Sequence, residues 1–358
     1  MQELTLAGKN ILITGAAGFI GAHLAGRLLR DGECASVTGI DNLNDYYDPA
    51  LKAYRLSKLE EYAEKSRSAW RFAKVDITDK DLLRDVFRES PFQIVVHLAA
   101  QAGVRHSILN PDAYIQSNLV GFCNVLEACR HTRPGHTGAV EHFVYASSSS
   151  VYGESRKFPF CVTDRVDEPV SLYAATKKSG ELLAYTYAKL YDLPSTGLRF
   201  FTVYGPAGRP DMAYFGFTEK LRGGQPIRIF NYGNCQRDFT YVDDVVEGII
   251  RVMRHAPERK KGPDGLPIPP HKLYNIGHGC PESLMDMVNV LCQELIRAEV
   301  LSPDFQPKME LLPMQPGDVP VTYADVTGLE QDFGYHPETD LRAGLRKFAE
   351  WYRDYYKK

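Results

Sequence analysis

The first half of the chain alternates short, continuous apolar runs with longer stretches in which apolar positions recur every three or four residues. Asn10–Thr14 (NILIT) reads as a buried strand, and residues 19–30 as a helix with Ile20, Leu24 and Leu28 on one face. Further strands are predicted at 37–40, 72–75, 94–98, 143–146 and 197–201, and helices at 80–88, 113–129 and 173–190. Strand–helix–strand alternation of this kind implies an α/β chain with a Rossmann-type, doubly wound parallel sheet.

Beyond about residue 205 the texture changes. Gly and Pro punctuate shorter elements, and helices are predicted at 215–222, 243–253, 283–298 and 341–356. The reading is a first domain over 1–204 and a smaller α/β domain over 205–358, with segments free to cross between them. The Pro- and Lys-rich stretch 255–271 (HAPERKKGPDGLPIPPH) reads as a solvated surface loop.

Composition narrows the function classes. With 358 residues the chain is long enough for two domains, and 42 Lys plus Arg against 45 Asp plus Glu give a net charge of −3. That balance offers no reason to expect nucleic acid or an anionic membrane as a partner. Seven cysteines, an odd number without a CxxC pair, suit neither a disulfide framework nor a structural zinc site, and no metal is expected. No apolar run approaches the roughly 18 residues of a membrane span, and the N-terminus lacks the order of a secretion signal. A cytoplasmic protein with reduced thiols is the expectation.

Candidate chemistry sits at strand ends. The turn TGAAGFIG (14–21) joins the first strand to the first helix, with Gly15, Gly18 and Gly21 spaced G-x-x-G-x-x-G. Small residues there let the backbone approach a pyrophosphate seated on the helix N-terminus. Asp41 ends the second strand 20 residues after Gly21, where a carboxylate bonds an adenosine ribose and repels a 2′-phosphate, favouring NAD over NADP. Asp76–Ile77 and Leu98–Ala100 also lie at carboxyl ends of strands. ASSSSVYG (146–153) follows the fifth strand, and YAATK (173–177) opens a helix with Tyr173 and Lys177 on one face. A cation beside the phenol lowers its pKa from about 10 towards a usable base. Alone, such a pair is usually a solvated helix face; joined to the Gly-rich turn, Asp41 and the serine cluster, it points to redox chemistry. His97, in an apolar strand, reads as a satisfied core residue, and His106 as shaping a loop.

These motifs, with DNLNDYY (41–47), LAAQAGVR (98–105), SLYAATKK (171–178), LRFFTVYGP (198–206), GRPDM (208–212), RDFTYVDD (237–244) and QPGDV (315–319), make the chain resemble the extended short-chain dehydrogenase/reductases. Among these it resembles the nucleotide-sugar epimerases, most closely the UDP-glucuronate 4-epimerases. The resemblance implies NAD-dependent inversion at C4 of UDP-glucuronate through a 4-keto sugar, with UDP-glucose/UDP-galactose epimerisation as the alternative. It implies Tyr173 as base, Lys177 as its tuner and Ser148 as a hydroxyl moving the O4 proton. It implies NAD contacts from Gly15, Ala17, Gly18, Phe19, Ile20, Gly21, Asp41, Asn42, Asp76, Ile77, Leu98, Ala99, Ala100, Asn118 and Phe200, beside Tyr173 and Lys177. UDP-sugar contacts are implied for Arg105, Ser148, Ser149, Ser150, Thr202, Arg209, Phe215 and Arg237. Phe215 and residues 229–232 offer apolar and aromatic surface for the uracil, with core packing an equal reading for each, and an ordinary ion pair with Asp238 or Asp243 is the alternative for Arg237. Thr202 stands where hexose epimerases usually carry Asn, which favours a uronate. Ser149 and Ser150 stand where related decarboxylases and dehydratases carry acidic residues, which disfavours both activities. Gln315 replaces an Arg that several relatives set against the diphosphate. The family also implies a homodimer through a four-helix interface, here the helices at 113–129 and 173–190.

Overall fold

Seven strands form one sheet in the order His271–Ile276, Ser195–Phe200, His142–Ser148, Ile94–His97, Asn10–Thr14, Ser36–Asp41, Ala69–Lys74. The ladders joining Ala69–Lys74 through to His142–Ser148 are all parallel. Strand order reverses between Asn10–Thr14 and Ile94–His97, the switch point at whose carboxyl edge such sheets bind ligands. The inner strands are apolar on both faces because helices cover both. Leu12, Val95 and Phe143 pack with Phe122, Val125, Leu126 and Leu83 from the covering helices.

The computed structural model describes residues 1–132, 139–315 and 319–357. The chain divides into two units, Met1–Gly153 with Arg165–Arg199 and Val246–Tyr274, and Glu154–Asp164 with Phe200–Val245 and Asn275–Lys358. The division falls at residue 199 rather than 204, and segments from each side of it join the other unit. The second unit carries a three-stranded sheet, Pro281–Ser283, Gln236–Tyr241, Thr202–Tyr204. Around it stand the helices Ala213–Arg222, Leu284–Arg297 and Leu341–Tyr356. Buried Asp238 ties its loops together by accepting the backbone N–H groups of His278, Gly279 and Ala324.

The helix predicted at 113–129 is present and runs without a break from Pro111 to His131, with one π-helical segment, Gln116–Gly121, inside it. Asn118 lies buried in that segment. The loop at 255–271 is more ordered than predicted: His255–Ala256 pairs with Gln2–Glu3, and Lys260–Lys261 with Pro267–Ile268.

Two of the sheet's histidines are deeply buried and uncharged. His142 is fully buried between Thr196 Oγ1 at 2.9 Å and Met253 O at 3.4 Å. Burial lowers its pKa to about 4. His97 is lowered to about 3, by burial first and then by the charge of Lys177. Both rings stay neutral in the fold while the unfolded chain takes up protons below pH ~6.5. Stability is therefore lost as pH falls from about 6.5 towards 4, by about 2 kcal/mol per histidine at pH 5. Urea unfolding of His142→Gln at pH 7 and pH 5 is expected to show a fall smaller by about 2 kcal/mol than that of the parent chain.

Candidate active site

The turn after the first strand closes on itself without side chains. Gly15 N–H donates to Ile40 O at 2.7 Å, and Gly18 N–H to Gly15 O at 2.9 Å. Gly15 has φ +73°, and a Cβ there would lie 2.8 Å from Ala99 N; a Cβ on Gly21 would lie 2.2 Å from Gly15 O. The helix Phe19–Asp31 then starts with no side-chain cap and no acid in its first turn. Its first N–H groups and positive dipole end are left for an anion.

Asp41 ends the second strand buried, accepting Leu43 N–H at 2.8 Å, with Lys52 Nζ 3.5 Å away. Lys52 also donates to Asn44 at 2.9 Å, and burial outweighs the pull of Asp41 to lower its pKa. Arg55 donates to Ala17 O at 2.9 Å and to the Tyr47 hydroxyl at 2.6 Å. Both cations stand on the helix Pro49–Ala63, capped by Asp48. Sequence reading missed this helix, although Asp48-Pro49 is an N-cap followed by Pro at the first helical position. Asn42 donates to Asp76 at 2.9 Å, and Asp76 holds Thr78 N–H and its hydroxyl, so two predicted strand-end residues meet.

Thr14 Oγ1 accepts Ala99 N–H at 3.1 Å and lies 2.8 Å from His97 Nδ1, fixing the start of the Leu98–Ala100 segment. Asn118 spends its amide on that same segment and on the next helix. It accepts Gln101 N–H at 2.8 Å and donates to Gln101 O and Thr176 Oγ1, both at 3.0 Å. His106 sits against Tyr46, with ring centroids 4.8 Å apart, while exposed Arg105 precedes it.

Ser148 and Lys177 are each 9% exposed, and Tyr173 is half-buried. Ser171 caps the helix Leu172–Tyr191 by accepting Ala174 N–H, which sets Tyr173 in its first turn. Lys177 Nζ donates to Ala146 O at 2.9 Å and lies 6.0 Å from the Tyr173 ring centre. The Ser148 hydroxyl accepts Ser150 N–H at 3.2 Å and lies 2.9 Å from Ser150 Oγ, capping the 3-10 turn Ser149–Tyr152. The edge of the Tyr114 ring meets Tyr173, with centroids 6.1 Å apart.

In the second unit Thr202 opens its strand opposite Phe239. Arg209 pairs with Asp211, and Arg237 donates to the carbonyls of Gln236 and Pro320 at 2.9 and 3.1 Å. Phe215 corrects the sequence reading. It is fully buried against Phe348, Trp351 and Tyr352, with centroids 5.7 to 5.9 Å away, so it is core and presents no face to a base. Ile229 is buried as well, and only Tyr232 of the 229–232 segment is broadly exposed. Phe200 ends its strand 8% exposed. Gln315 is described, but 316–318 of its motif lie outside the described residues. Among the described residues no cluster of His, Cys, Asp and Glu has the form of a metal site.

A family model for the NAD dependent epimerase/dehydratase family matches residues 11–277. The chain is 46% identical to UDP-glucuronate 4-epimerase 2 of Arabidopsis thaliana over 99% of this chain and 78% of that protein. It is similar to the Bacillus cereus UDP-glucuronic acid 4-epimerase solved with UDP-glucuronic acid and NAD. There the TM-score is 0.81 and the identity 32%, over 97% of this chain and 100% of that one. It is also similar to the Thermotoga maritima UDP-glucose 4-epimerase solved with UDP-glucose. That pair has a TM-score of 0.77 and 30% identity, over 97% and 99% of the two chains.

The closeness of the glycine turn can be measured against a control. Gly8 also has positive φ (+71°) but has nothing within 4 Å of a built Cβ. Gly8→Ala is expected to cost about 1 kcal/mol, from backbone conformation alone. Gly15→Ala adds a backbone clash and is expected to cost about 3 kcal/mol, read from the two urea midpoints.

Proposed function

The chain belongs to the NAD-dependent epimerase/dehydratase family, and on that premise we propose that it interconverts UDP-glucuronate and UDP-galacturonate by inverting C4. The observation that carries this reading is near full-length similarity to UDP-glucuronate 4-epimerases in a chain that keeps Ser148, Tyr173 and Lys177 together with the hydroxyl-rich run 148–150.

The residues present fit NAD. The turn at Gly15 and Gly21 is a cradle that a Cβ would fill, it opens onto a helix N-terminus, and a carboxylate closes the neighbouring strand. When bound, NAD supplies the acceptor and donor of the C4 hydride, with the 4-keto sugar between the two transfers. Tyr173 takes the O4 proton and returns it, and Ser148 relays it. Lys177 favours the phenolate by its charge, for which a 6.0 Å approach to the ring is suited. We assign the C5 carboxylate to the hydroxyl of Thr202 and the guanidinium of Arg209, and diphosphate charge to Arg237. The 4-keto sugar is a β-keto acid. Holding its carboxylate bond near the ring plane denies that bond overlap with the ketone and so suppresses loss of CO₂.

We further assign the outer face of the 113–129 and 173–190 helices to a second copy of the chain. An apolar groove of about 630 Å³ lies there, lined by Leu119, Val120, Cys123, Leu182, Leu183 and Thr186, and Leu182 is 57% exposed. A cytoplasmic location suits the seven unpaired cysteines, and among the described residues no helix is long and apolar enough to cross a membrane.

Incubation of the purified protein with UDP-glucuronate is expected to give UDP-galacturonate, resolved by anion exchange and proton NMR, with no accumulation of NADH. Tyr173→Phe is expected to lower kcat by about 100-fold or more. Conversion of UDP-glucose to UDP-galactose with UDP-glucuronate left untouched would transfer the assignment to the neutral hexose. Leu182→Glu is expected to halve the mass measured by light scattering.

A further inference from the structure

We propose that Glu181, Arg199 and Ser147 form a positioning device for Ser148 and Lys177, an inference that rests on the epimerase reading. Glu181 lies one turn after Lys177 on the helix Leu172–Tyr191, and Arg199 lies on the adjoining strand Ser195–Phe200. Their side chains are 2% and 1% exposed. Arg199 grips Glu181 with both prongs, Nε to Oε1 at 2.7 Å and a terminal nitrogen to Oε2 at 2.9 Å. Ser147 Oγ donates to the same carboxylate at 2.7 Å, and Lys178 lies 3.3 Å from it.

The placement of this cluster is what gives it a role. The helix is pinned to the end of the His142–Ser148 strand at consecutive residues, Lys177 on Ala146 O and Glu181 on the Ser147 hydroxyl. The next residue is Ser148. On its far side the 3-10 turn ends at Tyr152, whose ring lies under the Arg199 guanidinium at 4.9 Å. One buried cation thus stacks on Tyr152 at the end of that turn and, through Glu181, holds Ser147 beside Ser148. Burial would raise the Glu181 pKa, but the hydrogen bonds and charge of Arg199 outweigh it and hold the carboxylate ionised. Buried pairs of this kind add little stability over an apolar pair of equal size, whereas a planar two-pronged grip fixes direction. Displacement of about 1 Å at a reacting group can cost about 100-fold in rate.

The test separates positioning from folding. In E181L/R199M an apolar pair replaces the ionic one, and S147A removes one hydroxyl and leaves the pair intact. E181L/R199M is expected to melt near the parent temperature and to lose about 100-fold in kcat on UDP-glucuronate, with KM changed less than twofold. S147A is expected to lose about 5-fold to 10-fold in kcat with the same KM. Hydrogen exchange over 146–152 is expected to quicken in both. An unchanged kcat in either folded variant, or a loss confined to KM, overturns the proposal; if the double variant does not fold, S147A decides. The exchange rates need no substrate. A parent chain inactive on UDP-glucuronate while exchange responds would therefore count against the epimerase reading and leave the positioning device standing.

Discussion

Most of the chemistry assigned to this chain depends on how one helix docks on one strand end. Leu172–Tyr191 brings Tyr173 and Lys177; His142–Ser148 brings Ser148. Neither element can place these groups alone, because a strand end is free to splay and a helix is free to rotate. The Lys177 bond to Ala146 O removes much of that freedom and occupies a charged donor that would be costly to bury unpaired. The Phe122 ring packs beside Gly180 of the same helix, at ordinary contact distance from where a Cβ would stand, so the helix is also held from behind. The active-site geometry is in this sense a packing result before it is an electrostatic one.

The dinucleotide turn follows a related logic with backbone in place of side chains. Its glycines lie where any Cβ would meet carbonyl or amide atoms, so the loop has one closed form. The positive groups nearby do not belong to the loop. They arrive on Pro49–Ala63, from which Arg55 clamps Ala17 O and Lys52 approaches Asp41. The carboxylate credited with choosing the cofactor is therefore itself restrained by a buried cation.

The sheet was legible because its strands are short, apolar on both faces and bounded by turns, and because the motifs sit at their carboxyl ends. The glycine turn, the serine cluster and the Tyr173–Lys177 pair were read as motifs for the same reason, while the roles proposed for Ser148, Tyr173 and Lys177 rest on the family resemblance. Three features escaped. Pro49–Ala63 carries Lys52 and Arg55 on its buried side, so its apolar period is weak and only Asp48-Pro49 marks its start. Phe215 was misassigned because an aromatic side chain looks alike in sequence whether it faces a ligand or, as here, the aromatic rows of Leu341–Tyr356. The Arg199–Glu181 pair also escaped, since it joins a strand and a helix through long-range contacts that no local period encodes.

The π-helical segment Gln116–Gly121 gives its helix a fixed phase. Upstream, Tyr114 faces inward; downstream, Phe122, Val125 and Leu126 do the same; within the segment Asn118 is buried and Val120 exposed. A π-turn takes up one residue more than an α-turn, so the stretches before and after it keep their own faces. Removing one residue there would let an ordinary α-turn close with the two flanks still in phase, whereas removing one from either α-helical flank would rotate everything beyond it by about 100°. The wide turn is thus the one place where this helix can change length without turning its inner face outward.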